Sequence, residues 1–413
     1  MRQAVLTTLV FALCALPAFA QDSDDGAAAA VQPPAPPRAQ AAGGGVIKTG
    51  SEWIQNIVRP DSQRNGFYAV LGSMPTASGI SAGPGYRQHL FGGRAVVDAS
   101  AAAAWSRGYV GQATFEVPHA IGEHVALGAQ VTRQNFTRLS YFGIGPDTIE
   151  ADGTNYGLKN TDYAGYTTVK PQSWLTVGGR LAYSQPVSID RPRMSSLPAT
   201  QDLFSLATAP ALIDQPAFLH SDLVVDADTR NYPSRPTSGG DYRVTFSTFS
   251  DRDLGRYSFH RIEGEASQFI PILHENWVIA LRARVASTDT AEGNQVPFYL
   301  LPTLGGSRSL RGYDDYRFRD RDLLLLNAEY RWNIFGALDG ALFYDAGKVA
   351  PRFGDLDLTN LKTSYGLGFR FHSDHSTVFR VDVGHSTEGT RLLLSISDAL
   401  KPGHGSFSIP YVP

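Results

Sequence analysis

Two short stretches carry the residue types for a shielded ion pair. Leu310-Arg311-Gly312-Tyr313 lies on a long polar connection, and Phe343-Tyr344-Asp345-Ala346-Gly347 lies on a stretch of alternating character. An arginine presents five donors in a planar fork, and a carboxylate accepts two of them side by side. Gly312 lets the connection turn compactly at its tip. If Arg311 and Asp345 meet away from water, deleting either leaves the other's charge uncompensated, at a cost of ~3 to 5 kcal/mol. Exchanging the two charges would then restore the attachment. Such a pair fixes a loop rather than transforming a substrate. A solvated loop arginine is the plain alternative for an Arg-Gly dipeptide alone, and Tyr313 and Tyr316 read as packing residues rather than ligand contacts.

Residue sets that would transform a substrate are poorly represented. His385-Ser386 beside Glu388 puts a base next to a hydroxyl, but adjacent strand residues point to opposite faces, and an outer hairpin turn accounts for all three. His372 and His375 have a helical ligand spacing on what reads as a strand end. No phosphate loop, carboxylate dyad or nucleophile elbow stands out. The chain therefore reads as a non-enzyme with no cofactor and no metal. A net charge of -3 gives no reason to expect a nucleic-acid partner.

From residue 66 onward apolar residues recur with period two, so strands are expected and their two faces can be read separately. Tyr365, Leu367, Phe369 and Phe371 alternate with Ser364, Gly366, Gly368 and Arg370. Leu324, Leu326, Ala328 and Tyr330 oppose Leu325, Asn327, Glu329 and Arg331. Trp277, Ile279, Leu281, Ala283 and Val285 oppose Arg282 and Arg284, and Arg261, Glu263 and Glu265 share one face. A soluble sandwich also alternates, with its polar face in water. Strands of about nine to twelve residues, with Trp105, Trp174, Trp277 and Trp332 near their ends, instead suit a membrane barrel with aromatic girdles and a charged lumen.

Sixteen strands are expected, near 66–73, 78–88, 94–105, 108–117, 123–142, 154–169, 173–185, 219–227, 240–250, 258–270, 277–288, 321–332, 338–346, 363–371, 377–385 and 390–398. The stretch 123–142 is long enough to hide a further hairpin. With a periplasmic amino terminus, the long connections 143–153, 186–218, 289–320 and 347–362 fall outside the cell. Short turns such as 271–276 and 333–337 fall inside. The fold class is all-β: a single sixteen-stranded antiparallel transmembrane β-barrel, with 66–398 as its body.

Residues 1–20 read as a signal peptide, with Arg2, an apolar run from Ala4 to Leu16 and Ala18-Phe19-Ala20 as the cleavage site. Cys14, the sole cysteine, lies within it, so the mature protein has no thiol. Residues 21–45 have the composition of a disordered periplasmic tail. Residues 46–65 form a lead-in. Within it Trp53, Ile54, Ile57 and Val58 make one helical stripe that Pro60 stops, suited to plugging the lumen or lying on the inner leaflet. Residues 399–413 form a carboxy-terminal tail. The outer segment from Pro186 to Phe218, rich in proline, reads as a lid or a variable loop.

These features resemble the superfamily of outer-membrane assembly barrels and two-partner-secretion transporters, often labelled bacterial surface antigens. The resemblance implies a sixteen-stranded barrel whose sixth outer loop folds back into the lumen, with five strands after it. Arg311, Gly312 and Tyr313 match the loop motif, following Gly305-Gly306. Phe343, Asp345 and Gly347 match the strand motif, and Gly366, Gly368 and Arg370 are similar to the glycine-rich strand that follows. The likeness is strongest over 300–398 and extends over 66–398. It implies a bacterial outer-membrane location and movement of a protein or lipid client into or across that membrane. Its partners would be outer-membrane lipid, the client and a periplasmic accessory protein, and exposed aromatic strands near the seam are compatible with a homodimer.

Two features depart from the pattern. Residues 21–65 are too few for a polypeptide-transport-associated domain, and the last strand is followed by a tail from Lys401 to Pro413. These departures raise the alternative of a passive channel or structural barrel that has lost its client-receptor domains.

Overall fold

The computed structural model describes residues 65–73, 80–272, 276–372 and 377–395. The expected leader, the tail 21–45, residues 46–64 with their helical stripe, the carboxy-terminal tail and His375 lie outside the described residues.

Sixteen strands form the wall: β1 Gly66–Ser73, β2 Ile80–Leu90, β3 Ala95–Ala104, β4 Tyr109–Ile121, β5 Val125–Tyr141, β6 Thr154–Gln172, β7 Leu175–Ser184, β8 Phe218–Asp228, β9 Gly239–Asp251, β10 Phe259–Pro271, β11 Trp277–Thr290, β12 Asp322–Phe335, β13 Leu338–Ala350, β14 Lys362–His372, β15 Thr377–Ser386 and β16 Gly389–Ser395. Each pairs antiparallel with the next, from β1 with β2 through β15 with β16. No pairing of β1 with β16 occurs among the described residues, so the wall is not closed there.

The main sheet counts seventeen strands because Ser188–Asp190 adds a short one at the outer rim. The cause is a length mismatch. β7 ends with Ser184 opposite Asp162, which leaves the outer part of β6 without a neighbour, and Ser188–Asp190 pairs there with Gly157–Lys159. The stretch suspected of hiding a hairpin is one strand of 17 residues, β5.

The alternation has the expected physical result. Leu342, Tyr344, Leu367, Phe369 and Phe371 are exposed on the outside of the wall, where lipid replaces water as the solvent, while Asp345, Ser364 and Arg370 are buried facing in. Trp105, Trp174 and Trp277 are exposed at strand ends, as interfacial girdles require. Trp277 packs beside Tyr330, with ring centroids 5.8 Å apart.

The largest apolar core lies at the outer end, not mid-wall. Tyr141, Tyr156, Phe218, Phe249 and Phe259, at the outer ends of their strands, pack with Ala209, Ala211 and Leu212 of one outer loop and Val296, Phe298 and Leu300 of another. Each large side chain so buried contributes on the order of 1.5 to 3 kcal/mol. The outer mouth is thereby covered by a dome built from its own loops.

Candidate functional site

The connection between β11 and β12 descends into the lumen. A two-residue ladder, Thr303–Leu304 against Phe318–Arg319, closes the neck of the descending segment. Leu304, Leu310, Tyr313 and Phe318 then pack on Ala286, Leu323, Leu325 and Val349 of the wall. This apolar seat carries Arg311 down to the inward faces of β12 and β13.

The structure brings Arg311 and Asp345 together. The guanidinium donates from Nε and Nη2 to the two Asp345 oxygens at 2.9 and 2.6 Å, and the Arg311 backbone N–H donates to the same carboxylate at 3.1 Å. Both side chains are essentially excluded from solvent, at 1% and 0%. Arg311 also donates from Nη1 to Glu329. Its plane lies over the Phe343 ring, 3.6 Å from the centroid, which gives Phe343 a part in seating the cation. Asn327 and Ser364 complete Asp345, donating at 2.8 and 3.3 Å.

The glycines serve close approach. A Cβ on Gly312 would lie 2.7 Å from the Cβ atoms of both Ser364 and Ser386, so the loop tip can touch the wall only as glycine. The wall reciprocates at Gly384, where a Cβ would meet the Arg311 carbonyl. Ser386 then donates to the Gly312 carbonyl at 2.7 Å. Gly368 leaves room for the Arg370–Asp382 ion pair, Gly366 for the Val383 carbonyl and the Phe343 ring, and Gly347 for Leu304 and Leu310. Tyr313 packs edge-on against Phe318, with its hydroxyl 3.2 Å from Thr387.

Sequence reasoning missed the breadth of this cluster. Glu329 accepts from Arg311, from Arg331 at 2.7 Å and from Arg370 at 3.0 Å. Arg370 also bonds Asp382 at 2.7 Å, and Arg380 lies 2.8 Å from the other Asp382 oxygen. Four arginines thus share three carboxylates. The signal was present in the alternation, since Asn327, Glu329 and Arg331 share the inward face of β12 and Asn327 stands opposite Asp345 in register. The expected rescue by charge exchange does not suit this geometry, because an acidic residue at position 311 would confront Glu329.

Above the cluster the same connection is tied to the dome. Arg317 bonds Glu388 at 3.0 Å and Thr148 at 2.7 Å, and Arg319 donates to the carbonyls of Phe298 and Ser140 at 2.8 and 3.0 Å. A second buried network, also missed, joins Asp162, Arg180, His220 and Asp222 on β6 to β8. Its serines, Ser184 and Ser247, donate to the carboxylates and not to His220, so it has no nucleophile–base geometry. His385 and Ser386 point to opposite faces, exposed and buried, as neighbouring strand residues must.

At the inner mouth, residues 229–238 between β8 and β9 form an ordered strap. Asn231 accepts from the backbone N–H groups of Tyr232, Thr237 and Ser238, and donates to the Thr237 hydroxyl at 2.6 Å. The strap presents Arg235 to Asp339 of β13, 3.0 Å away, across the span of β10 to β12. Asp339 also meets His372 at 3.0 Å and Asn333 at 2.9 Å, which accounts for His372 without a metal.

A family profile described as an Omp85 superfamily domain matches residues 90–386. Among solved structures the chain is similar to BamA from Haemophilus ducreyi lacking POTRA domains 1-3, with a TM-score of 0.60 and 16% identity, covering 80% of this chain and 69% of that one. It is also similar to CdiB from Acinetobacter baumannii, with a TM-score of 0.50 and 12% identity, covering 81% of this chain and 60% of the other. For CdiB from Escherichia coli the TM-score is 0.54 and the identity 10%, covering 81% and 62%. At these identities the likeness speaks for the fold, and the CdiB chains are spanned for less than two thirds of their length. The family match, by contrast, runs from the end of β2 to the end of β15, and the chain belongs to the Omp85 superfamily, as an outer-membrane β-barrel.

Proposed function

We propose that this barrel moves a polypeptide or lipid client into or across the outer membrane by opening its wall between β1 and β16, with the tucked loop holding the lumen in order. The observation that carries this reading is the buried Arg311, seated between Asp345 and Glu329 with no solvent beside it. A charged cluster of this kind is costly to build and gives no stability that apolar packing could not supply. Its use is to specify one position of the loop against the wall. The unpaired edges of β1 and β16 among the described residues supply a line where strands can part without breaking a ladder. The reading calls for outer-membrane lipid, a client and a periplasmic accessory protein as partners.

A passive channel is less well supported, because the loop fills the lumen and the aromatic dome covers its outer mouth. The test is photo-crosslinking in cells from Leu71 on β1 and Leu392 on β16, with Leu342 on the outward face of β13 as reference. Client adducts at the first two positions and not at the third are expected. Adducts at none of the three, joined to a large steady conductance in planar bilayers, would return the passive channel.

A further inference from the structure

We propose that Tyr68 is a pin that keeps β1 attached to the β2–β3 hairpin, so that when the wall parts β1 stays with its own side. This rests on the reading that the wall opens between β1 and β16. β1 is eight residues long and its ladder runs to β2 alone among the described residues. An edge strand so held has hydrogen bonds on one side only and is the element most easily peeled away.

Tyr68 supplies a second attachment. It stands opposite Gly85 of β2, and a Cβ at Gly85 would meet its ring, so the aromatic side chain lies flat across β2 where any larger residue would lift it. Its hydroxyl then reaches Asp98 of β3, donating to Oδ1 at 2.6 Å. Arg87 of β2 donates to the other oxygen of Asp98 at 2.8 Å, which fixes the acceptor and keeps it charged. The guanidinium also lies 5.6 Å from the Tyr68 ring centroid. One side chain of β1 is thereby bound to two strands at once. Peeling β1 from β2 must break this contact as well as the ladder.

The same device recurs where no seam exists. Tyr166 of β6 stands opposite Gly128 of β5, a Cβ there would meet its ring, and its hydroxyl donates to Glu116 of β4 at 2.8 Å. β6 is paired with β7 on its other edge, so its position does not depend on the pin. This second copy is an internal control that separates a general packing habit from a role at the seam.

The test is amide hydrogen exchange on the full chain in lipid nanodiscs, comparing wild type, Tyr68→Phe, Asp98→Asn and Tyr166→Phe. A hydrogen bond to a charged acceptor is lost in Tyr68→Phe while ring and glycine remain. Exchange of the β1 amides is expected to quicken about tenfold or more in Tyr68→Phe and in Asp98→Asn, with β2 and β3 near wild type. Tyr166→Phe is expected to leave β5 and β6 within about twofold of wild type. Unchanged β1 exchange in both seam variants overturns the pin, and so does equal loosening by Tyr166→Phe. Because the readout needs no client, its failure is distinct from failure of the crosslinking that tests the seam. If Tyr68→Phe does not assemble, Asp98→Asn carries the comparison.

Discussion

Arg311→Ala is the most telling perturbation, because its cost can be worked from the bonds that it breaks and those that it leaves. The substitution removes two side-chain bonds to Asp345, one to Glu329 and the stacking on Phe343. Asp345 keeps Asn327, Ser364 and the backbone N–H of residue 311, and Glu329 keeps Arg331 and Arg370. Neither carboxylate is stripped bare, so the electrostatic loss falls toward the lower end of the ~3 to 5 kcal/mol for a broken buried pair. Lost stacking adds about 1 kcal/mol. A total near 4 kcal/mol lowers the ratio of docked to released loop about a thousandfold. The wall ladders are untouched, so the barrel remains folded while the loop loosens.

The assay is hydrogen exchange over residues 303–319 together with planar-bilayer conductance. Wild type is expected to protect the backbone bonds at Gly306, Ser309 and Tyr313 and to conduct poorly. Arg311→Ala is expected to lose that protection and to open more often. Arg311→Lys keeps the charge but loses the fork, and falls between the two. Combining Arg311→Asp with Asp345→Arg is expected not to rescue, since Glu329 then faces a carboxylate. Wild-type protection and conductance in Arg311→Ala would refute the reasoning and assign the loop's position to its apolar seat.

Gly312→Ala is expected to cost ~1 to 3 kcal/mol, because the new methyl meets Ser364 and Ser386 and the backbone must shift, and to reproduce the exchange pattern of Arg311→Ala. Arg235→Ala, at a partly exposed pair, costs about 1 kcal/mol or less. It is read as faster maleimide labelling of a Thr245→Cys reporter on the inward face of β9, and an unchanged rate would show that the strap is held without the ion pair. Arg319→Ala removes two bonds to loop carbonyls and the contact with the Tyr141 ring, 4.9 Å from its centroid. It is expected to lower dome stability by ~2 to 4 kcal/mol, seen as quicker proteolysis of the 186–217 loop at unchanged barrel mobility on a gel.

What the sequence made legible follows from what a period of two can encode. Inward Arg370 and outward Phe369 differ in kind because their surroundings differ, so the wall, its direction and its strand count could be read from alternation alone. Arg311 and Asp345 were legible because a glycine beside an arginine and an inward aspartate are unusual in those contexts. Glu329 was hidden in plain alternation. Its partners come from β14 and from the loop, and a one-dimensional pattern carries no register between segments so far apart. Ser188–Asp190 was illegible for a similar reason, since it exists only because β6 outruns β7.

The dome and the strap depend on neither period. Phe218, Phe298 and Tyr141 meet because loops from three connections fold over one mouth, and Arg235 reaches Asp339 because Asn231 has organised the turn that carries it. These covers bear on how the tucked loop can act. With the outer mouth packed by aromatic residues and the inner mouth crossed by an ion pair, release of Arg311 alone frees the loop inside a space still obstructed at both ends. Movement of a client along the lumen would have to undo three separate attachments. Parting β1 from β16 opens the lumen sideways and leaves the dome and strap in place, so the lateral route asks less of the fold.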